Sequence, residues 1–90
     1  SQRPSLGPAI PNPVRNYAYI TYFIPEFCNV SLKVYDLFGK EITTLVNSRQ
    51  GAGFHSIRFD PHELAEGLYY YQLCADHYIE TKKLVLYNPY

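Results

Sequence analysis

Apolar side chains in this chain recur at every second position, in short runs that turn-forming residues interrupt roughly every ten residues. A period of two is the signature of a strand with one buried face, because successive side chains point to opposite sides of a pleated backbone. In Tyr17–Ile24 the alternation puts Ile20, Tyr22 and Ile24 on one face before Pro25 ends the run. In Asn29–Asp36 it puts Val30, Leu32 and Val34 inward, with Ser31, Lys33 and Tyr35 outward. The sequence DLFGKE then reads as a turn in which Gly39 supplies a positive φ. Ile42–Val46 is a short third run, Asn47–Gly53 reads as a loop, and Phe54–Phe59 is a fourth run with Ile57 and Phe59 inward. Gly67–Ala75 is the most strongly β segment, with Tyr69, Tyr71 and Leu73 on one face and Tyr70, Gln72 and Cys74 on the other. Asp76-His77 makes a tight turn, and Tyr78–Leu86 returns as the last strand.

Between the fourth and fifth runs, Asp60-Pro61-His62-Glu63-Leu64-Ala65 reads as one helical turn. Asp60 would cap it, Pro61 suits its first position, and Glu63 can reach back as in a capping box. Residues 1–13 hold four of the seven prolines and little periodic pattern, so they read as an extended, proline-bearing linker. Residues 14–90 form the domain. Six or seven strands with no long helix and no internal repeat predict an all-β, immunoglobulin-like antiparallel sandwich.

Composition agrees and narrows the function classes. Ninety residues permit one small domain, and 47% hydrophobic with 18% charged residues is a globular balance. Ten Tyr and five Phe without Trp or Met suit pleated, half-buried surfaces. Eight basic and eight acidic residues cancel, which leaves no electrostatic footprint for nucleic acid or anionic lipid. No apolar stretch approaches the length of a membrane-spanning helix. The chain opens on Ser1, and it is expected to be a piece of a longer protein.

Residues with chemical potential are scattered. His55 and Ser56 are adjacent and so point to opposite faces of a strand, which separates nucleophile from base. Asp60, His62 and Glu63 are accounted for by capping. Cys74 and His77 lie three apart, but a tetrahedral metal site needs four ligands and the sequence offers no second pair at matching spacing. No catalytic residue, metal site or cofactor is expected. Cys28 and Cys74 would lie at the same end of the sandwich; a single disulfide and two thiols both stay open, although Cys74 alternates away from the core. Tyr22, Tyr69 and Tyr71 read as core. Tyr19, Tyr35 and Tyr70 fall on outward faces, where aromatic rings can serve a partner or a sugar. Lys82 and Lys83 read as an exposed guard on an edge strand.

Taken in order, several of these pieces resemble a known family. They are Pro11-Asn12-Pro13; the strand ending Ile24-Pro25-Glu26; and Asn29-Val30-Ser31-Leu32-Lys33-Val34-Tyr35-Asp36 with Leu37-Phe38-Gly39-Lys40-Glu41. Then come Thr44-Leu45-Val46, Gly53-Phe54-His55-Ser56-Ile57, Leu64-Ala65-Glu66-Gly67-Leu68-Tyr69-Tyr70-Tyr71 and Thr81-Lys82-Lys83-Leu84-Val85-Leu86. The chain resembles the C-terminal sorting domain of proteins exported by the type IX secretion system of Gram-negative bacteria (type A, the Por secretion tail family). The resemblance covers Pro11 to Tyr87; Asn88-Pro89-Tyr90 extends a little beyond the usual ending, and the two cysteines are not a family feature.

The resemblance implies a non-catalytic address label joined to an N-terminal passenger. The passenger would cross the periplasm, be recognised by the outer-membrane secretion machinery and reach the cell surface or the medium. A sortase-like peptidase would remove the label, with the lead-in at residues 1–13 as the place for processing. By the same resemblance Gly67 and Tyr69 match the family's glycine–tyrosine strand start, and Lys82 and Lys83 its terminal lysine motif. Recognition is then expected to rest on the last hairpin, residues 67–86, including Leu84 and Val85. The other readings are an interaction module, such as the immunoglobulin-like domain of flagellar hook-capping proteins, and a carbohydrate-binding appendage using the outward tyrosines.

Overall fold

The computed structural model describes residues 2–87; Ser1 and the trailing Asn88, Pro89 and Tyr90 lie outside the described residues. Seven strands run β1 (Ser5–Ile10), β2 (Ala18–Ile24), β3 (Cys28–Tyr35), β4 (Glu41–Gln50), β5 (Gly53–Phe59), β6 (Gly67–Ala75) and β7 (Tyr78–Leu86). They form two antiparallel sheets, ordered β1-β2-β5 and β4-β3-β6-β7. The alternation read from sequence is the alternation of burial: Ile20, Tyr22 and Ile24 from one sheet meet Leu32, Val34, Tyr71 and Leu73 from the other. This is the face-to-face packing of a sandwich, in which each sheet contributes every second side chain to a shared core.

Residues 5–14 are not a linker. They are extended, as expected, but they are packed: β1 pairs with β2, and Leu6, Ala9 and Val14 are buried. Period-two reading misses β1 for a geometric reason. Its register slips between Leu6, opposite Tyr22, and Ala9, opposite Ile20, so a bulge carrying Pro8 turns two residues three apart toward the same core. Gly7 lies so close to β2 that a Cβ there would run into the Thr21 side chain and, at 2.8 Å, its carbonyl oxygen.

β4 also continues through residues 47–50, where a loop was expected: these residues pair with β3 in regular register, but they are polar and 47–49 are exposed, so no apolar alternation marks them. Opposite β3, the pairing skips Leu45 and Ile42, and both pack against the core as extra, half-buried residues. Residues 60–66 form no helical turn. The Asp60 carboxylate is drawn to Arg58, whose Nε donates to both of its oxygens at 3.1 Å, so Asp60 does not cap. Its carbonyl instead accepts from the His62 N–H at 3.0 Å.

The turns follow their side-chain chemistry. Asp36 Oδ1 accepts from the N–H groups of Phe38 and Lys40 at 2.8 and 2.9 Å, and Gly39 holds a φ of 84°. Asp76 takes a φ of 53° in the two-residue turn between β6 and β7. The cysteines are free. Cys28 is buried on the inner face of β3, while Cys74 sits on the outer face of β6, so one sheet separates the thiols and the possible disulfide does not form.

Candidate functional site: the terminal hairpin and its edge

The residues picked out in the last hairpin divide into two sets by the side of the sheet they face. Tyr69 is buried, and its hydroxyl donates to the Ala65 carbonyl at 2.7 Å, closing the loop that enters β6. Gly67 starts that strand at a φ of 147°, a conformation L side chains rarely adopt. Leu84 and Leu86 fill the core beneath β7. These residues hold the hairpin's shape and offer no side chain to a partner.

Lys83 and Val85 point out of the sheet, and Val85 is 38% exposed. Lys82 lies on the other face, opposite Tyr71 and in line with Leu84, and is half-buried. The two lysines are therefore not one exposed pair: alternation sends one outward and turns the other toward the gap between the sheets. An inward-leaning charge on an edge strand disfavours further pairing there as a general rule.

β7 is the edge of the four-stranded sheet, and the segment after β1 closes its C-terminal half. Asn12 Oδ1 accepts from the Val85 N–H at 2.9 Å, and Asn12 Nδ2 donates to the Lys83 carbonyl at 3.3 Å. Val14 donates its N–H to the Val85 carbonyl at 2.7 Å and accepts from the Tyr87 N–H at 2.8 Å, in a short parallel bridge beside Leu86. The peptide bonds preceding Pro11 and Pro13 are both cis. One carboxamide thus pairs with the strand as a backbone amide would, and Pro11-Asn12-Pro13 becomes a clasp on the terminal hairpin.

Further along the same edge, Glu80 Oε1 accepts from the Leu6 N–H at 2.9 Å and from the Tyr78 hydroxyl at 2.8 Å. The Leu6 N–H, and after burial's opposing effect the Tyr78 hydroxyl and nearby Lys82, hold the Glu80 carboxyl below its ordinary range. The Tyr71 hydroxyl donates to the Gly7 carbonyl at 2.9 Å, and burial raises its pKa. The β1/β7 side of the sandwich is thereby tied shut by Asn12, Glu80 and Tyr71. Sequence reading missed Glu80 and Val14, and it valued Asn12 only as part of a motif. A Glu on the inward phase of the last strand, in line with Leu84 and Leu86, was the available signal.

The outward tyrosines do not make one platform. Tyr19, 44% exposed, lies on the three-stranded sheet, whereas Tyr35 and Tyr70 face each other in register on the other sheet. Tyr35 and Tyr70 border a shallow groove of about 450 Å³ with Leu37, Gln72 and Thr81. Cys74 lines a separate hollow with Asn29, Ser31, Asn47 and His77. Among the described residues, no group of three or more His, Cys, Asp or Glu is placed to hold a metal ion.

The family model for the secretion system C-terminal sorting domain matches residues 9–87, from the clasp through the terminal hairpin. The chain belongs to this family. Among solved structures, it is similar to dimeric latent PorU from Porphyromonas gingivalis, with a TM-score of 0.76 and 20% identity over 94% of this chain. It spans only 9% of that protein's length, so the likeness is one of fold. The Ig1 domain of mouse SynCAM 2 aligns at 17% identity over 98% of this chain and 96% of its own, with a TM-score of 0.49. No curated protein matches the chain. The sorting-domain family and the two-sheet architecture agree with the immunoglobulin-like sandwich expected from the alternation.

Proposed function

We propose that this domain is a non-catalytic export signal that directs an N-terminal passenger across the outer membrane through the type IX secretion machinery. The family match carries the reading, and it ends on the hairpin that the clasp holds in place. The route runs through the periplasm to the cell surface or the medium. Recognition rests on the outward residues of β7, Lys83 and Val85, with Lys82 beside them, while Gly67, Tyr69 and Leu84 hold the strand that presents them. No membrane insertion and no cofactor enter this mechanism.

A sortase-like peptidase then releases the label. Proteases bind substrates as extended, unpaired chain, so strand-paired backbone resists cleavage until it opens. Leu6 and Ala9 are buried and β1 is paired along its length, which moves the favoured processing site upstream of Ser5, away from the rest of residues 1–13. The groove between Tyr35 and Tyr70 supports a second reading, a saccharide- or partner-binding module.

The test is export of a fluorescent passenger bearing its own signal peptide and residues 1–90 at its C-terminus, in a bacterium with type IX secretion. The expected result is export by the intact fusion and periplasmic retention when residues 67–90 are removed. Because that truncation also unfolds the sandwich, a K83E/V85E double variant, which leaves the core intact, must also be retained. Export of that folded variant at the parent level overturns the assignment to β7's outer face. Retention of the intact, folded fusion overturns the sorting function and turns attention to polysaccharide binding.

A further inference from the structure

Beside the clasp, on the side away from the β6–β7 turn, lies a cleft of about 260 Å³ with an unusual arrangement of cations. Its lining is mainly polar, with Asn16, Asp60 and His62 around it and the buried Val14 and Leu86 behind. Two arginines line it, and each lies over a tyrosine ring: Arg58 over Tyr17 at 3.9 Å from the centroid, and Arg15 over Tyr87 at 4.8 Å. Stacking on a ring fixes the plane of a guanidinium and leaves its N–H edge directed outward, in the fork geometry that matches a carboxylate.

The two arginines differ in what already occupies that edge. Arg58 Nε donates to both oxygens of Asp60 at 3.1 Å, which neutralises the acid lining the cleft. Arg15 makes no ion pair among the described residues. Among the described residues, the cleft therefore holds one ring-stacked guanidinium with no acidic partner, in a chain whose net charge is zero. The ring faces of Tyr17 and Tyr87 that meet the guanidiniums are covered by them, which favours an anion over a stacked sugar.

We propose that this cleft is a docking site for a carboxylate of an acidic peptide segment, with Arg15 as the anion-binding residue. Arg15 takes the carboxylate of a glutamate or aspartate in a two-pronged hydrogen bond, and the polar lining of the cleft keeps the site hydrated around it. Resting on the sorting function, the inference gives the secretion machinery a second contact, formed by the connection between β1 and β2 and the loop after β5. It lies next to β7, because Val14 bridges directly to Val85. A partner reading β7's outer face can reach both.

The test uses the whole 90-residue chain and capped hexaglutamate as the probe. Titration at low ionic strength, followed through the Arg15 Nε–H and Tyr87 ring signals by NMR, is expected to show saturable shifts confined to the cleft. Hexaglutamine should give none. Arg15→Ala should weaken binding about tenfold or more, the loss typical of a charge-assisted pair, and Arg15→Lys should not restore it, because lysine lacks the fork. Arg15 is exposed, so both variants keep the core. Absence of saturable shifts overturns the proposal, as does equal affinity in Arg15→Ala or an equal response to inorganic phosphate. In the export assay, Arg15→Ala should lower export of the passenger. Parent-level export of that variant overturns the role in export, and failure of the unmutated fusion to leave the periplasm while hexaglutamate still binds overturns the sorting function instead.

Discussion

Asn12 is an exposed residue in a proline-flanked loop, yet its side chain pairs with two hydrogen-bonding groups of the last strand, the Val85 N–H and the Lys83 carbonyl. Replacing it with alanine removes a 2.9 Å and a 3.3 Å hydrogen bond and no buried apolar surface. Each such bond contributes about 0.5–1.5 kcal/mol net. Both released groups lie at a solvent-facing edge, where water replaces the lost partner, so the low end applies and Asn12→Ala should cost about 1 kcal/mol. For a domain of this size that lowers Tm by roughly 4–8 °C.

Amide hydrogen exchange supplies the sharper readout. The Val85 amide should lose protection in Asn12→Ala, while the Leu84 and Leu86 amides, which face β6 in the alternating ladder, stay slow. Asn12→Asp keeps an acceptor for Val85, so it should retain that protection while losing the bond to Lys83. Unchanged exchange at Val85 in Asn12→Ala, or a Tm within about 1 °C of the parent, would refute the clasp.

Other consequences follow from the same geometry. Because its contacts lower the Glu80 pKa, they add stability above the unfolded-state value and lose it as pH falls through the folded one. The stability gap between the parent and Glu80→Gln should therefore be flat near neutrality and shrink below about pH 4, and a gap insensitive to pH in denaturant titrations would contradict this. Leu84→Ala should cost about 2–5 kcal/mol by chemical denaturation, whereas Val85→Ala next to it should change stability by less than about 0.5 kcal/mol. Burial raises the Cys28 thiol pKa, and Cys74 is half-exposed, so a thiol reagent should label one cysteine in the folded domain and two after unfolding. An intact mass two hydrogens short would show a disulfide and refute the placement of the two thiols on opposite faces.

What sequence could determine alone was whatever depends on regular alternation. The inward sets Ile20-Tyr22-Ile24, Val30-Leu32-Val34 and Tyr69-Tyr71-Leu73 each obey a period of two, so strand identity, core face and sandwich class were legible before any coordinates. The Asp36–Lys40 turn was legible too, because its glycine and aspartate act locally. The ordered motifs named the family through the same residues.

Tertiary structure decided whatever depends on a bulge or on a distant partner. β1 escaped because one slipped register turns Leu6 and Ala9, three apart, to the same side, and β4 was cut short because residues 47–50 are polar and are held as a strand only by pairing with β3. Asp60 could satisfy its carboxylate by capping or by pairing with Arg58, and only the folded chain shows that the arginine wins. Asn12 and Glu80 act across separations of 71 to 74 residues. Period and turn chemistry are local and survive in one dimension. Edge closure and the stacking of Arg15 on Tyr87 arise only when the two ends of the chain meet, and that meeting is a property of the packed sandwich.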